Sequence, residues 1–334
     1  MNMKIITIEE HFESEVITNE INKVTGNLVS GQVSPEMFQY MQKELPSAAE
    51  MQDTEKRLAF MDQHGIDIQV LSYGNSSPQN LDPKISVALC KRANDELAKV
   101  IQQNPTRFAG FAVLPVGSPE DAAIELKRAV EELGFKGALV KGQFENKYFD
   151  NRFYYPIFEM AEKLDVPISF HPSFIPETIT EQYFASDAWS DVVTGVFSSA
   201  GFGWHMDVGI QVVRMILSGI FDKLPNLKII TGHLGEMVPM FLNRMDNTLG
   251  HWTTLERKIS DYYRTNVYVT PSGLLYQNEW KFLLNELDEN HLIYALDYPF
   301  VKPENARTFL DTLDLTDEVK AKIAHENAEK LLHL

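Results

Sequence analysis

The sequence predicts an α/β protein of the (β/α)8, or TIM-barrel, class. Eight short aliphatic runs alternate with helix-like segments from one end of the chain to the other. Acids and histidines stand where four of those runs end: "KIITIEEHF" carries Glu9 and His11, "VPISFH" closes on His171, "LKIITGH" on His233 and "HLIYALD" on Asp297. This chemistry is spread over runs one, five, six and eight. An open doubly wound sheet would gather its site at one switch point, whereas a closed barrel brings every strand end to one mouth.

In order, the expected strands are Lys4–Ile8, Ile68–Ser72, Phe108–Leu114, Gly137–Val140, Pro167–Phe170, Leu227–Ile230, Asn266–Thr270 and Leu292–Leu296. They are nearly continuous apolar runs, as strands of a parallel sheet covered on both faces are. Helix boundaries carry their own signals. Gly65 stops the helix around "EKRLAFMDQH", and Ser118-Pro119 supplies an N-cap and a first-turn proline for "EDAAIELKRAVEEL", which Gly134 ends. The segment from Thr316 to Leu334 reads as closing helices. Residues 1–334 are expected to form a single barrel domain, a length such barrels routinely reach. Two inserted segments exceed a minimal barrel, 12–50 after strand one and 172–204 after strand five. The second holds Phe174, Tyr183, Phe184, Trp189, Phe197, Phe202 and Trp204, too aromatic for disorder, and is expected to wall a pocket, to form a satellite core or to contact another subunit.

Composition narrows the partners. Net charge is −17, with 30 Lys+Arg against 47 Asp+Glu, and no basic run interrupts it, which disfavours nucleic acid and anionic membrane. A small molecule is the expected partner. The start of the chain lacks a basic segment followed by a secretory apolar stretch of roughly 7–15 residues, and no apolar run approaches the ~20 residues of a membrane span. With one cysteine, Cys90, no intramolecular disulfide can form. These features point to a cytoplasmic enzyme.

Glu9 and His11 lie two apart, so on a strand they share a face while Glu10 points elsewhere. A divalent ion held by Glu9, His11, His171 and Asp297 would see two neutral nitrogens and two anionic oxygens, a set suited to Zn²⁺ or Mn²⁺ with positions left for substrate. His233, between two glycines of "TGHLGE", is then free to share a proton with Asp297. Trp204 and His205 in "GFGWHMD" either line the pocket or begin the next helix. His64, His251, His291, His325 and His333 are assigned no role.

"TIEEHF", "RLAFMDQHGID", "ISFHP", "TGHLGE" and "ALDYPF", in this order, resemble the amidohydrolase superfamily, in the branch similar to aminocarboxymuconate semialdehyde decarboxylase and the 2,6-dihydroxybenzoate (γ-resorcylate) decarboxylases. The resemblance implies a barrel of the metal-dependent hydrolase type with one divalent metal, in a homodimer or homotetramer. The implied reaction is nonoxidative decarboxylation of a hydroxylated aromatic carboxylic acid. It makes Glu9, His11, His171 and Asp297 metal ligands and Asp297 and His233 catalytic. It also suggests Arg57, Arg244 and Phe300 at the substrate, with Arg57 and Arg244 alternatively ordering the site or, for Arg244, serving a neighbouring subunit. The alternative is a metal-dependent hydrolase or hydratase of a carboxylated lactone or enol. Glu9 argues against that alternative, because a Glu where hydrolases carry a His adds negative charge and weakens acidification of a bound water. Lys141, ending strand four in "GALVKGQF", is read as an ordinary amine near the mouth rather than as a carbamate bridging two metals.

Overall fold

The computed structural model describes residues 3–25, 34–74 and 76–334. Part of the first insertion, residues 26–33, lies outside them. Seven strands form: β1 (Ile6–Phe12), β2 (Ile68–Tyr73), β3 (Phe108–Gly110), β4 (Ala138–Lys141), β5 (Ile168–His171), β6 (Ile229–Thr231) and β7 (Val267–Val269). All pair in parallel and in sequence order, as β1-β2-β3 and β4-β5-β6-β7. Parallel bridges complete the circuit: Ala112 pairs with Ala138, Val269 with Leu292 and Ile8 with Ala295. The expected eighth strand is thus present as an extended segment, 292–296, with bridges in place of a ladder. The fold is the TIM barrel that the run of βα units predicts.

Alternation along the strands sorts side chains to two faces. Ile6, Ile8, Val70, Ala109, Phe111, Leu139, Ile230, Ile293 and Ala295 fill the barrel interior, and Ala328, Leu331 and Leu332 of the closing helix Asn327–Leu332 plug its floor. The intervening residues, among them Leu71, Ala138, Val140, Ile168 and Phe170, face the surrounding helices. Two residues beyond an interior position is again interior, so Leu139 leads to Lys141, and Ile230 to Gly232, at the mouth.

The insertions are not loose loops. The first contains helices Glu15–Thr25, Pro35–Glu44 and Ala48–Gln52, the second Glu177–Tyr183 and Asp191–Ser198. They meet at Gly195, where a Cβ would lie 2.6 Å from Met37 Sδ, so a larger residue there would displace the Met37 side chain. Phe184 is buried in the second insertion, while Phe174, Tyr183, Trp189, Phe197 and Phe202 stay partly or largely exposed. No helix among the described residues is long and apolar enough to cross a membrane.

Helix Pro83–Gln103 is tied to the barrel by Asn94. Its amide accepts from Val113 N (2.9 Å) and donates to Val113 O (3.0 Å) and to Glu125 Oε1 (2.7 Å), all buried. Asn94→Ala leaves these groups unpaired and should destabilise the fold by about 2–4 kcal/mol. A lowered thermal midpoint with unchanged site chemistry is the expected result; an unchanged midpoint would refute this account of the tie.

Candidate metal centre and its surroundings

The mouth begins with an irregularity in β1. Thr7 pairs with Gln69 but Glu10 with Leu71, so β1 carries one extra residue between them, and Glu9 adopts a left-handed φ of 69°. The bulge leaves Glu9 and His11 inside and turns Glu10 outward. Asp297 (φ 61°) and His233 (φ 46°) are left-handed as well. Non-glycine residues hold such conformations only where their surroundings impose them, and such positions gather at functional sites.

His11, His171 and Asp297 each offer a ligand atom within 4.8 Å of the others. His11 is 1% exposed, and neither of its ring nitrogens makes a hydrogen bond. Its Nε2 lies 3.0 Å from Asp297 Oδ1 without the geometry of a hydrogen bond. Two ligand atoms converging in this way, on a buried imidazole and a partly buried carboxylate, fit a shared cation. His171 Nδ1 is 2.8 Å from Pro172 O, which fixes the ring and leaves Nε2 as the free nitrogen. Burial, with His11 and Lys141 nearby, holds His171 well below the ordinary imidazole range, so it is the neutral base a metal requires. The His11 and His171 rings meet edge to face at 4.7 Å.

Glu9 stands beside this group rather than in it. Its Oε2 accepts from Thr270 Oγ1 (2.8 Å) and Ser272 Oγ (2.5 Å), while Oε1 is buried without a partner. Burial raises its pKa, with Asp297 adding to the rise and His233 opposing it. Gly232 makes room for the carboxylate: a Cβ there would lie 2.5 Å from Glu9 Oε1. The donor chemistry, two imidazoles and two carboxylates with orphaned buried atoms on Glu9 and His11, fits a divalent ion.

His233 Nε2 is 4.0 Å from Asp297 Oδ2, and His233 Nδ1 is 2.7 Å from Glu236 Oε1. Burial alone would lower its pKa, but Glu236, then Glu9 and Asp297, raise it to about 10. Glu236, fully buried at its side chain, also meets His205 Nδ1 at 2.8 Å. Sequence reasoning assigned no role to Glu236; its place three residues after His233 in "TGHLGE" was the available signal. Trp204 and His205 do begin helix Gly203–Leu217, yet His205 also reaches the site through Glu236, and Trp204 packs edge to face on Phe174 (5.6 Å). Phe300 packs edge to face on His11 at 5.2 Å. Lys141, opposite His171 in the β4–β5 register, lies at the mouth as an amine whose Nζ donates to Gly74 O, and burial lowers its pKa to about 8.

Two arginines differ from expectation. Arg57 is neither on the helix surface nor free to hold substrate. It is 1% exposed beneath the site, donating to His11 O, Gln69 Oε1 (3.1 Å) and Met51 O (3.3 Å). This matches the reading in which it orders the site. Arg244 does not face inward: it is exposed in helix Leu242–Thr248, two residues from buried Leu242 and so on the opposite side. No single helix joins it to His233, because His233, Leu234, Glu236 and Met237 are left-handed, which breaks the helical phase.

The fold and the donors at its strand ends define a (β/α)8 barrel with a His/Asp metal-binding group. The chain belongs to the amidohydrolase family, whose model matches residues 35–334. It is 34% identical to decarboxylase orsB of Emericella nidulans over 99% of this chain and 98% of that one. It is 33% identical to the γ-resorcylate decarboxylase of a Polaromonas species over 100% of this chain and 99% of that one. Among solved structures, a dihydroxybenzoic acid decarboxylase from Polaromonas, with bound manganese and the inhibitor 2-nitroresorcinol, superposes with a TM-score of 0.84. It shares 30% identity over 99% of this chain and 97% of that one.

Arg57→Met removes three hydrogen bonds from buried acceptors and should destabilise the protein by about 3–5 kcal/mol. Thermal unfolding reads this loss. An arginine that served only to bind substrate would instead raise KM and leave the unfolding midpoint in place.

Proposed function

We propose that the chain is a metal-dependent nonoxidative decarboxylase of a hydroxylated aromatic carboxylic acid resembling 2,6-dihydroxybenzoate. The observation that carries this reading is the convergence of His11, His171 and Asp297, with neither His11 nitrogen hydrogen-bonded, in a chain similar along its whole length to γ-resorcylate decarboxylases. Glu9, His11, His171 and Asp297 would hold one divalent ion, Zn²⁺ or Mn²⁺, the latter favoured by the manganese in the Polaromonas structure. Such an ion supplies Lewis-acid binding of a carboxylate together with an ortho oxygen.

The chain's own residues do the rest. Asp297 gives a proton to the ring carbon that bears the carboxylate, the ring–carboxylate bond breaks, and its electron pair restores aromaticity as CO2 leaves. An ortho or para oxygen on the ring stabilises the intermediate in which aromaticity is lost. His233 holds a proton 4.0 Å from Asp297 and can return it, and Glu236 keeps the imidazolium oriented and charged. Phe300, with Trp204 and Phe174 farther out, supplies apolar walls that exclude water from the departing carboxylate. The exposed aromatic residues of the second insertion support assembly as a homodimer or homotetramer, in which Arg244 would face a neighbouring subunit.

Elemental analysis should find one equivalent of Zn or Mn per chain. His11→Ala and His171→Ala should each weaken metal retention at least roughly 10–100-fold, the range already reached when only supporting residues are lost. On manganese-loaded protein in D2O, a hydroxybenzoate should release CO2 and acquire one deuteron at the vacated ring carbon. Product formation without CO2 would favour the hydrolase or hydratase alternative. Asp297→Asn should slow CO2 release by roughly 10²–10⁴-fold; a near-wild-type rate would remove Asp297 as the proton donor.

A further inference from the structure

Lys141 is a charged side chain at the mouth that the proposed reaction leaves unused. Its backbone is clamped at the end of β4, with Gln79 Nε2 donating to Lys141 O (2.7 Å) and Lys141 N donating to Gln79 Oε1 (3.2 Å). Its side chain lies on the interior face, in register with His171, and crosses to β2, where Nζ donates to Gly74 O. Gly74 in turn borders His11, whose Cβ would be 3.5 Å from a Cβ at that position. The ammonium therefore sits on the side of the site that the two histidines form, away from the Glu9 and His233 side.

An ammonium carries three donors, and the Gly74 carbonyl uses one. Among the described residues, no carboxylate oxygen lies within 4 Å of Lys141 Nζ. The nearest acid acting on it is Glu13, but both Glu13 oxygens are taken by Ser76, through its N–H and its hydroxyl (2.9 Å each). On the same interior face Ser72, which pairs with His11 and stands two residues before Gly74, has a buried hydroxyl with no partner. Among the described residues, a positive donor and a hydroxyl, both enclosed and neither fully satisfied, lie on the histidine side of the mouth, where an oxygen of the ligand would pair with them.

We propose that Lys141, assisted by Ser72, binds a second oxygen substituent of the substrate ring, and so selects dihydroxylated over monohydroxylated benzoates. The inference rests on the decarboxylase reading for its choice of ligand. Sites built to hydrogen-bond a ligand hydroxyl reject analogues that lack it, because the buried donor is left unpaired.

The test compares wild type, Lys141→Met and Lys141→Arg, each manganese-loaded. Substrates are 2-hydroxybenzoate and the four dihydroxybenzoates that add a hydroxyl at position 3, 4, 5 or 6. CO2 release gives kcat/KM, and calorimetry gives Kd for each acid. Wild type should favour one dihydroxybenzoate over 2-hydroxybenzoate. Lys141→Met should shrink that preference roughly tenfold to a hundredfold, as for loss of a charge-assisted hydrogen bond, by weakening the favoured dihydroxybenzoate more than 2-hydroxybenzoate. Lys141→Arg should keep part of the preference. The proposal is overturned if Lys141→Met leaves the preference intact, if it weakens all five acids equally, or if wild type shows no preference. If wild type binds the acids but releases no CO2, the decarboxylase reading fails and the Kd ratio alone decides the role of Lys141.

Discussion

The site depends on one buried carboxylate that never faces it. Glu10 is fully enclosed, and its oxygens accept from Leu296 N (3.0 Å), Tyr298 N (3.1 Å) and Gln69 Nε2 (3.2 Å). Leu296 and Tyr298 flank Asp297, so one side chain of β1 grips the backbone on both sides of a proposed ligand. Ile8 and Ala295 form the parallel bridge between these segments, and His11 N adds a bond to Tyr298 O (2.7 Å). Where the ladder of the barrel is thinnest, a side chain replaces it. Burial pushes the Glu10 carboxyl up to about 8, and Arg57 opposes that shift. Arg57 also binds Gln69 Oε1 and the carbonyl of His11. Glu10, Gln69 and Arg57 thus form one connected polar group beneath the mouth, whose hydrogen bonds are strengthened by the low-dielectric surround.

This arrangement explains what the sequence made legible. The strands were readable because each is a short β-branched or aliphatic run, and a barrel requires their ends to share a mouth; Glu9, His11, His171, His233 and Asp297 do gather there. The i, i+2 argument for Glu9 and His11 reached the correct side by an incomplete route. The bulge between Thr7 and Glu10 interrupts simple alternation, and nothing in "TIEEHF" announces a left-handed Glu9. Nothing in "RLAFMDQHGID" announces that Arg57 is buried, and only the folded partner Gln69 reveals why a guanidinium lies there. Arg244 lies beyond the turn that carries His233, where the left-handed run from His233 to Met237 breaks helical periodicity. Glu236 was hidden for the same reason: three residues after His233 is the same face of a helix, but this segment is a tight turn whose side-chain directions the sequence does not fix.

Strain and charge are arranged together around the mouth. Three of the left-handed residues, Glu9, His233 and Asp297, are each anchored by a neighbouring group: Glu9 by Thr270 and Ser272, His233 by Ser272 Oγ on its N–H and Glu236 on its ring, and Asp297 by the grip of Glu10 on Leu296 and Tyr298. Ser272 serves two of them, so the positions of Glu9 and His233 are coupled through one hydroxyl. A loosened Ser272 would move a proposed ligand and the proposed proton reservoir in the same direction. The chain therefore treats them as one unit, and the backbone strain is borne by β1, the turn after β6 and the segment after 296 together.

The charge distribution also says which ligand suits the mouth. Glu9, Glu236 and Asp297 bring three carboxylates, His233 and Lys141 two cationic groups, and a divalent ion would add two more positive charges. Glu13, buried beside Lys141, brings a fourth carboxylate, so these groups and the ion would balance. The ion and Lys141 would each offer a positive partner to an oxygen of an acid, whereas a neutral ester or amide, the usual ligand of a hydrolytic barrel, would pair with them more weakly. Loss of neutral CO2 then leaves the bonding electron pair on the ring, where the proton from Asp297 quenches it, so the product is a neutral phenol without the carboxylate that held the substrate, which favours its release.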